Sequence, residues 1–204
     1  DVWNIYYMRG ICFEQLGDWD FPEKDFLKSL EIKPDSPNVL NYLAYGWVER
    51  EMKLDRSLQM LEEAYEANPE SFYIIDSLAW AHFKKNNLSE AARLMEMVID
   101  IAPGEAISLD HLGDIYYAMN RKREAIHFWQ QALELAEPDD EIEENVKIKL
   151  EKFPFSLTPL GNMLAETTSD EFEITSEQKD LFLKSLFPDS DIKIKNVCLN
   201  DLRT

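Results

Sequence analysis

Cysteine, histidine and basic residues are all scarce in this chain, and each scarcity excludes something. The two cysteines, Cys12 and Cys198, stand at opposite ends with no CxxC or histidine spacing around them. That pattern supports neither a disulfide framework nor a zinc site. Cys12 lies in a helical pattern beside Ile11 and Phe13 and is expected to be a buried thiol. The three histidines include His111 and His127, which lack metal-type spacing with each other or with cysteine, so no metal is expected. Lys and Arg number 21 against 40 Asp and Glu, a formal net charge of -19. A chain so poor in base cannot neutralise phosphate, which argues against nucleic acid and against anionic membrane surfaces. No apolar run approaches the length needed to span a bilayer.

Signals for chemistry are equally thin. There is no GxGxxG, P-loop or HExxH pattern. Ser77 with His82, and Ser108 with Asp110 and His111, bring triad residue types close in sequence. Neighbouring positions on a helix point in different directions, however, and a triad needs a chain of contacts in space. His82 takes the slot of a packing residue, so a core or half-buried histidine is expected there. The expectation is a non-catalytic protein without a cofactor. The chain opens with Asp1 rather than Met, already inside a repeat, and is read as an N-terminally truncated fragment, which leaves its compartment unassigned.

What is present is periodicity. With 45% hydrophobic and 12% aromatic residues the chain can build a core. The small residues Gly10, Ala44, Ala79 and Gly113 recur at offsets of 34, 35 and 34. Each sits on a helix-spaced apolar face, and each is followed after a polar turn by a second such face. The segment from Ser108 to Ala132 shows this best: Leu109, Leu112, Gly113 and Tyr116, then Ala125, Trp129 and Ala132. Four helical hairpins follow, over about residues 3–36, 37–70, 72–105 and 106–138, with Pro34, Pro69, Pro103 and Pro138 as stops. The extra residue of the second unit is placed between Glu51 and Asp55. Pro22 falls near the start of a helix, where no intrahelical N–H bond is lost.

Residues 139–153, with Ile142, Val146, Ile148 and Leu150 among Glu and Lys, read as a capping helix, polar outside and apolar toward the last repeat. Pro154 breaks the pattern. The division expected is therefore a repeat array over 1–153 and an extension over 154–204. In that extension Thr158-Pro159 marks one short helix. Residues 166–175 read as an acidic linker, and Thr175 with Gln178 resembles a capping box for a helix through Phe187. The rest is expected to be poorly ordered or docked elsewhere.

The hairpins resemble tetratricopeptide repeats, whose 34-residue pattern carries an aromatic, Leu-Gly, Tyr, then Ala, Phe and Pro. Repeat four fits best, with Leu112-Gly113, Tyr116, Ala125, Trp129 and Ala132, and repeat three follows with Leu78-Ala79, Ala91 and Pro103. Repeat one departs at Pro22 and Ser29, where small alanines are usual, and repeat two departs at the glycine turn. No repeat has the opening Trp, whose slots hold Tyr6, Leu40, Ile75 and Leu109. The wording NYLAYGWVER, IIDSLAWAHF and DHLGDIYYAMNRKREA also resembles long bacterial repeat proteins of the alphaproteobacterial kind, envelope-associated or cytoplasmic scaffolds. The resemblance implies an all-α fold: a right-handed α-solenoid with a C-terminal capping helix and a poorly ordered tail.

It also implies where a partner binds, because in this family the first helix of each pair lines a concave groove. Carried over position by position, the groove residues are Asn4, Tyr7 and Ile11; Asn38, Asn41, Tyr45 and Val48; Tyr73, Asp76, Trp80 and Phe83; and Ile107, Asp110, Asp114 and Tyr117. Asn41, Asp76 and Asp110 share one slot and form a ladder. Lys84 is nearly the sole base near that line, which disfavours an acidic C-terminal tail as ligand. The expected partner is a protein or peptide segment offering Lys or Arg plus an apolar anchor, met by aromatic stacking, cation–π contacts and carboxylates. Two further readings stay open: an oligomerising solenoid that self-associates, and a regulatory repeat region of a larger protein whose N-terminal part is missing.

Overall fold

A computed structural model of the chain describes residues 2–14, 16, 19–136 and 141–153. Gly17, Pro138, the first residues of the expected cap, and everything from 154 onward, including both short helices expected in the extension and Cys198, lie outside the described residues. The described helices all belong to one compact unit, Asp1–Pro154.

Among the described residues the chain folds into helices joined by short turns, α1 (Val2–Glu14), α2 (Asp20–Ile32), α3 (Pro37–Glu49), α4 (Leu54–Ala67), α5 (Phe72–Lys84), α6 (Leu88–Ile101), α7 (Ala106–Ala118), α8 (Lys122–Leu135) and α9 (Glu141–Glu151). Successive pairs α1–α2, α3–α4, α5–α6 and α7–α8 are antiparallel hairpins, and each second helix packs on the first helix of the next pair. Helices α3, α5, α7 and α9 also touch in series, so the first helices stand side by side. This is the helical repeat solenoid that the periodicity predicts.

The turns show why the units repeat. Asn86 and Asn120, one in each of the last two turns, adopt the left-handed conformation, with φ of 60° and 62°. Asparagine tolerates that region better than most non-glycine residues. The following N–H groups reach back, Asn87 to His82 O and Arg121 to Tyr116 O, both at 2.8 Å, closing the helix ends. In repeat two the linker is Arg50 to Lys53, one residue longer, and both Glu51 and Lys53 are left-handed. Pro22 lies in the first turn of α2, where Glu23 N–H already bonds Trp19 O.

Inside each hairpin, a small residue faces a bulky one. A Cβ on Gly10 would sit 2.6 Å from the Phe26 ring, and one on Gly113 would sit 2.4 Å from the Trp129 ring. Phe26 and Trp129 are followed through the repeat by Met60 and Met95, and all four are buried. The glycines therefore pair with aromatic rings, while Ala44 and Ala79 occupy the slots that match methionine. Volume is conserved across the four units by a compensating exchange. Ser29, which departs from the family's alanine, is fully buried and donates its hydroxyl to Trp3 O at 2.9 Å, so the polar substitution is satisfied.

The cap is α9. Val146 is fully buried and Ile142 and Leu150 pack on the core, as the pattern predicts, but Ile148 is exposed. Cys12 corrects the expectation of a buried thiol: it is exposed. It lies on α1, a helix apolar nearly all round, whose Val2, Ile5 and Met8 are exposed as well.

Gly113→Ala tests the packing rule. Trp129 is 2% exposed and has no room to yield. Overpacking should outweigh the helix-propensity gain and lower stability by about 1 to 2 kcal/mol in urea unfolding.

Candidate functional site

A groove of about 540 Å³ opens on the side formed by the first helices, between α1, α3, α5 and the start of α7. Seven of the sequence-predicted residues line it together: Tyr7, Asn38, Asn41, Tyr45, Tyr73, Asp76 and Ile107. The tyrosines form a connected wall. Tyr7 meets Tyr42 edge-on at 5.5 Å between ring centroids, and the Tyr73 hydroxyl donates to Asn38 Oδ1 at 3.2 Å. Burial, with Tyr42 and Tyr73 adding to it, pushes the Tyr7 phenol up to about 12, so it stays neutral and able to donate.

Asn41 is the distinctive member. It is 6% exposed, and its Oδ1 is one of three buried side-chain polar atoms without a hydrogen-bond partner among the described residues. It is the one of the three that belongs to a groove-lining residue. An unpaired buried acceptor costs about 1 to 3 kcal/mol, so a fold that retains one keeps an unmet demand for an N–H or O–H donor.

The rest of the expected ladder is spent internally. Asp76 is buried, accepting from Ser108 Oγ at 2.5 Å on Oδ2 and pairing with His111 Nδ1 at 2.9 Å on Oδ1. Burial alone would drive the proton off His111, but Asp76, assisted by Asp110 and Asp114, outweighs it and raises the imidazole pKa. Asp110 and Asp114 both hold the ammonium of Lys149 from α9, each at 2.7 Å. The acids expected to face a ligand are thus neutralised by bases from the next helix in the stack.

Several other expectations need correction. Trp80 is only 7% exposed: its indole N–H donates to Glu49 at 2.5 Å, and its ring lies between His111 at 4.0 Å and Phe83 at 4.7 Å. Trp80 and Phe83 therefore pack in the wall and are not free anchors. Tyr117 lies against Phe153 at 5.3 Å, next to the capping helix. Val48 is fully buried, and Asn4 is exposed on α1 outside the groove lining. Ser108 and His111 do converge on an acid, but that acid is Asp76 and not Asp110. Both bond the carboxylate and neither bonds the other, which is a structural cross-link and not a proton relay.

The groove also contains residues that family positions did not single out: Glu14, Tyr42, Phe72, Ser77, Glu105 and Ser108. Tyr42 and Glu14 stood in the sequence as helix-face residues beside carried-over ones, and only the crossing of α1 and α3 aims them inward. Among the described residues no group of three or more His, Cys, Asp or Glu is arranged to hold a metal ion, and no helix is long and apolar enough to cross a membrane.

The comparisons agree with this architecture. Residues 106–139 match the tetratricopeptide repeat family. A TPR repeat-containing protein from Pseudomonas aeruginosa is 26% identical over 111 residues, which is 54% of this chain and 19% of that protein. The chain thus spans about a fifth of the length of that relative. Among solved structures, MamA from strain AMB-1 aligns with a TM-score of 0.54 at 25% identity, over 65% of this chain and 78% of that one. MamA from Desulfovibrio magneticus RS-1 aligns at 0.56 with 21% identity, over 67% and 76%, a likeness of fold alone.

The buried histidine gives a test with a defined sign. A folded pKa raised above the ordinary 6.5 means that the stability from His111 is present below that value. It is lost as pH rises through the folded pKa. The stability gap between the natural protein and His111→Gln, read by urea unfolding, should shrink as pH rises above the ordinary 6.5.

Proposed function

We propose that this tetratricopeptide-repeat solenoid is a non-catalytic protein-interaction scaffold that binds an extended protein or peptide segment in the groove between α1, α3, α5 and α7. The observation that carries the reading is the unpaired carbonyl of Asn41 in a lining rich in tyrosine, with Asn38 and the carboxylates of Glu14, Asp76 and Glu105 around it. A peptide N–H is the donor such an acceptor lacks, and the aromatic wall offers contact area at low entropic cost. The repeat family and the shared fold support the coarser statement, a scaffold for protein partners. The formal charge of -19 favours a basic segment, steered in by the long-range field, and disfavours an acidic one.

A second reading, a repeat region serving a larger protein, draws support from α1. Ile5 holds the slot that Val39 and Ile74 hold in the next two repeats, and those are fully buried against the preceding hairpin while Ile5 is exposed. An element covering that face would complete the pattern.

The test is selection of peptides from a random library on the full chain, followed by affinity measurement with Asn41→Leu. That substitution removes the unpaired buried acceptor at similar volume, so the melting temperature should hold or rise while affinity for selected peptides falls about tenfold. Equal binding by a folded Asn41→Leu would move the interface off the groove.

A further inference from the structure

Three carboxylates of the first helices are met by a base from the next helix in the stack: Asp76 by His111 of α7, and Asp110 and Asp114 by Lys149 of α9. Lys149 also lies 5.7 Å from the Trp129 ring, so the array already holds one ammonium between two carboxylates and an aromatic face. At the α1–α3 end two carboxylates lack that arrangement. Glu14, on the last turn of α1, is half-buried and makes no ion pair among the described residues. Glu49, at the end of α3, accepts only the neutral indole N–H of Trp80.

These two carboxylates border a recess of about 470 Å³ with Tyr45 and Arg50, and Glu14 and Tyr45 also line the main groove, so the two spaces adjoin. Arg50 is the base of the recess, and it is engaged: it donates to Gly46 O at 2.9 Å and lies 4.1 Å over the Trp19 ring. Burial raises the Glu14 carboxyl above the ordinary range, with Arg50 opposing and Glu49 adding to the rise. Tyr45 is also held neutral, first by burial and then by the fields of Glu49, Asp76 and Glu14. In the lining of the adjoining main groove, one turn before Tyr45, Asn41 is nine-tenths buried with its unpaired carbonyl. The recess therefore has unspent negative charge, an aromatic face, and a backbone-binding group beside it.

We propose that the recess between Glu14, Tyr45 and Glu49 is a subsite for a single cationic side chain, lysine ammonium or arginine guanidinium, of a segment whose backbone N–H is held by Asn41. The inference rests on the peptide-groove reading above and adds to it the position and chemistry of the specificity-determining contact. The two carboxylates supply charge-assisted bonds, and Tyr45 supplies the aromatic face on which the aliphatic stem and the cation lie. One basic side chain, and not overall basicity, would then decide which segments bind.

The experiment is a double-mutant cycle on the full chain, using peptides selected from the random library. On the ligand side each Lys or Arg is replaced singly by Gln; on the protein side the variant is Glu14→Gln with Glu49→Gln, which keeps shape and the acceptor for Trp80. Neutralising one peptide residue should weaken binding about tenfold, the protein variant should weaken the unmodified peptide about as much, and the two together should cost no more than either alone. The ligand-side substitution reads the effect on the natural protein, whatever the fate of the variant. Peptides lost by Asn41→Leu yet indifferent to every single neutralisation, or losses that multiply, would overturn the subsite and leave the groove standing. Failure to select any peptide, or full binding by Asn41→Leu, would overturn the groove reading and the subsite with it.

Discussion

The distance between the two helices of each hairpin is the constraint from which the rest of the structure follows. It is set where a small residue on the first helix receives a large one from the second, and the chain satisfies it in two ways. Gly10 takes Phe26 and Gly113 takes Trp129, while Ala44 and Ala79 occupy the slots matched by Met60 and Met95. A mismatch in either partner would open a void or force the helices apart, and every later hairpin would inherit the displacement. Because the spacing is held, α3, α5 and α7 stand side by side and their inner faces form one continuous surface. The groove is a consequence of hairpin packing.

That surface is polar in a structured way. Carboxylates placed so close together repel, and burying them unpaired would be costly. The array resolves most of this by drawing a base from the next helix: a histidine against Asp76 and a lysine against Asp110 and Asp114. These rungs tie α5 to α7 and α7 to α9. His111, sandwiched with Trp80 at 4.0 Å, adds an aromatic contact to the ionic one. At Asn41 the charge is absent and no partner arrives, which leaves the α1–α3 end as the part of the groove with unmet demands.

The hairpins were legible in the sequence because their signals are local: helix-spaced apolar residues, turn residues, prolines and a period read directly from Gly10, Ala44, Ala79 and Gly113. The longer linker of repeat two and the tolerance of Pro22 in a first turn follow from backbone rules that need no partner. The groove was half legible. Family positions pointed to the correct helix faces for Tyr7, Asn41, Tyr45 and Tyr73, since one face per helix follows from spacing. They could not reveal that Lys149 would reach back to Asp110 and Asp114 from 39 and 35 residues away. Nor could spacing show that Trp80 would stack into the wall, because solvent exposure depends on what the adjacent repeat brings. Cys12 failed for the same reason in reverse: its spacing reads as core, and no described helix covers it.

Net charge and local charge therefore do different work here. The formal charge of -19 acts over about a Debye length, governs the approach of any partner, and weakens with salt. It does not choose a binding site, because acids cover most of the chain. Choice depends on which acids remain uncompensated after folding, and that depends on the rungs. Asp76, Asp110 and Asp114, the acids most prominent in the sequence, are the ones the fold consumes. Glu14 and Glu49 stand out only once the helices are assembled, because one makes no ion pair among the described residues, Arg50 being engaged elsewhere, and the other is bonded to a neutral indole. A cation arriving at that end would meet one carboxylate, Glu14, whose partial desolvation has already been met by folding, beside the exposed Glu49. It would therefore gain more from Glu14 than from an exposed surface acid.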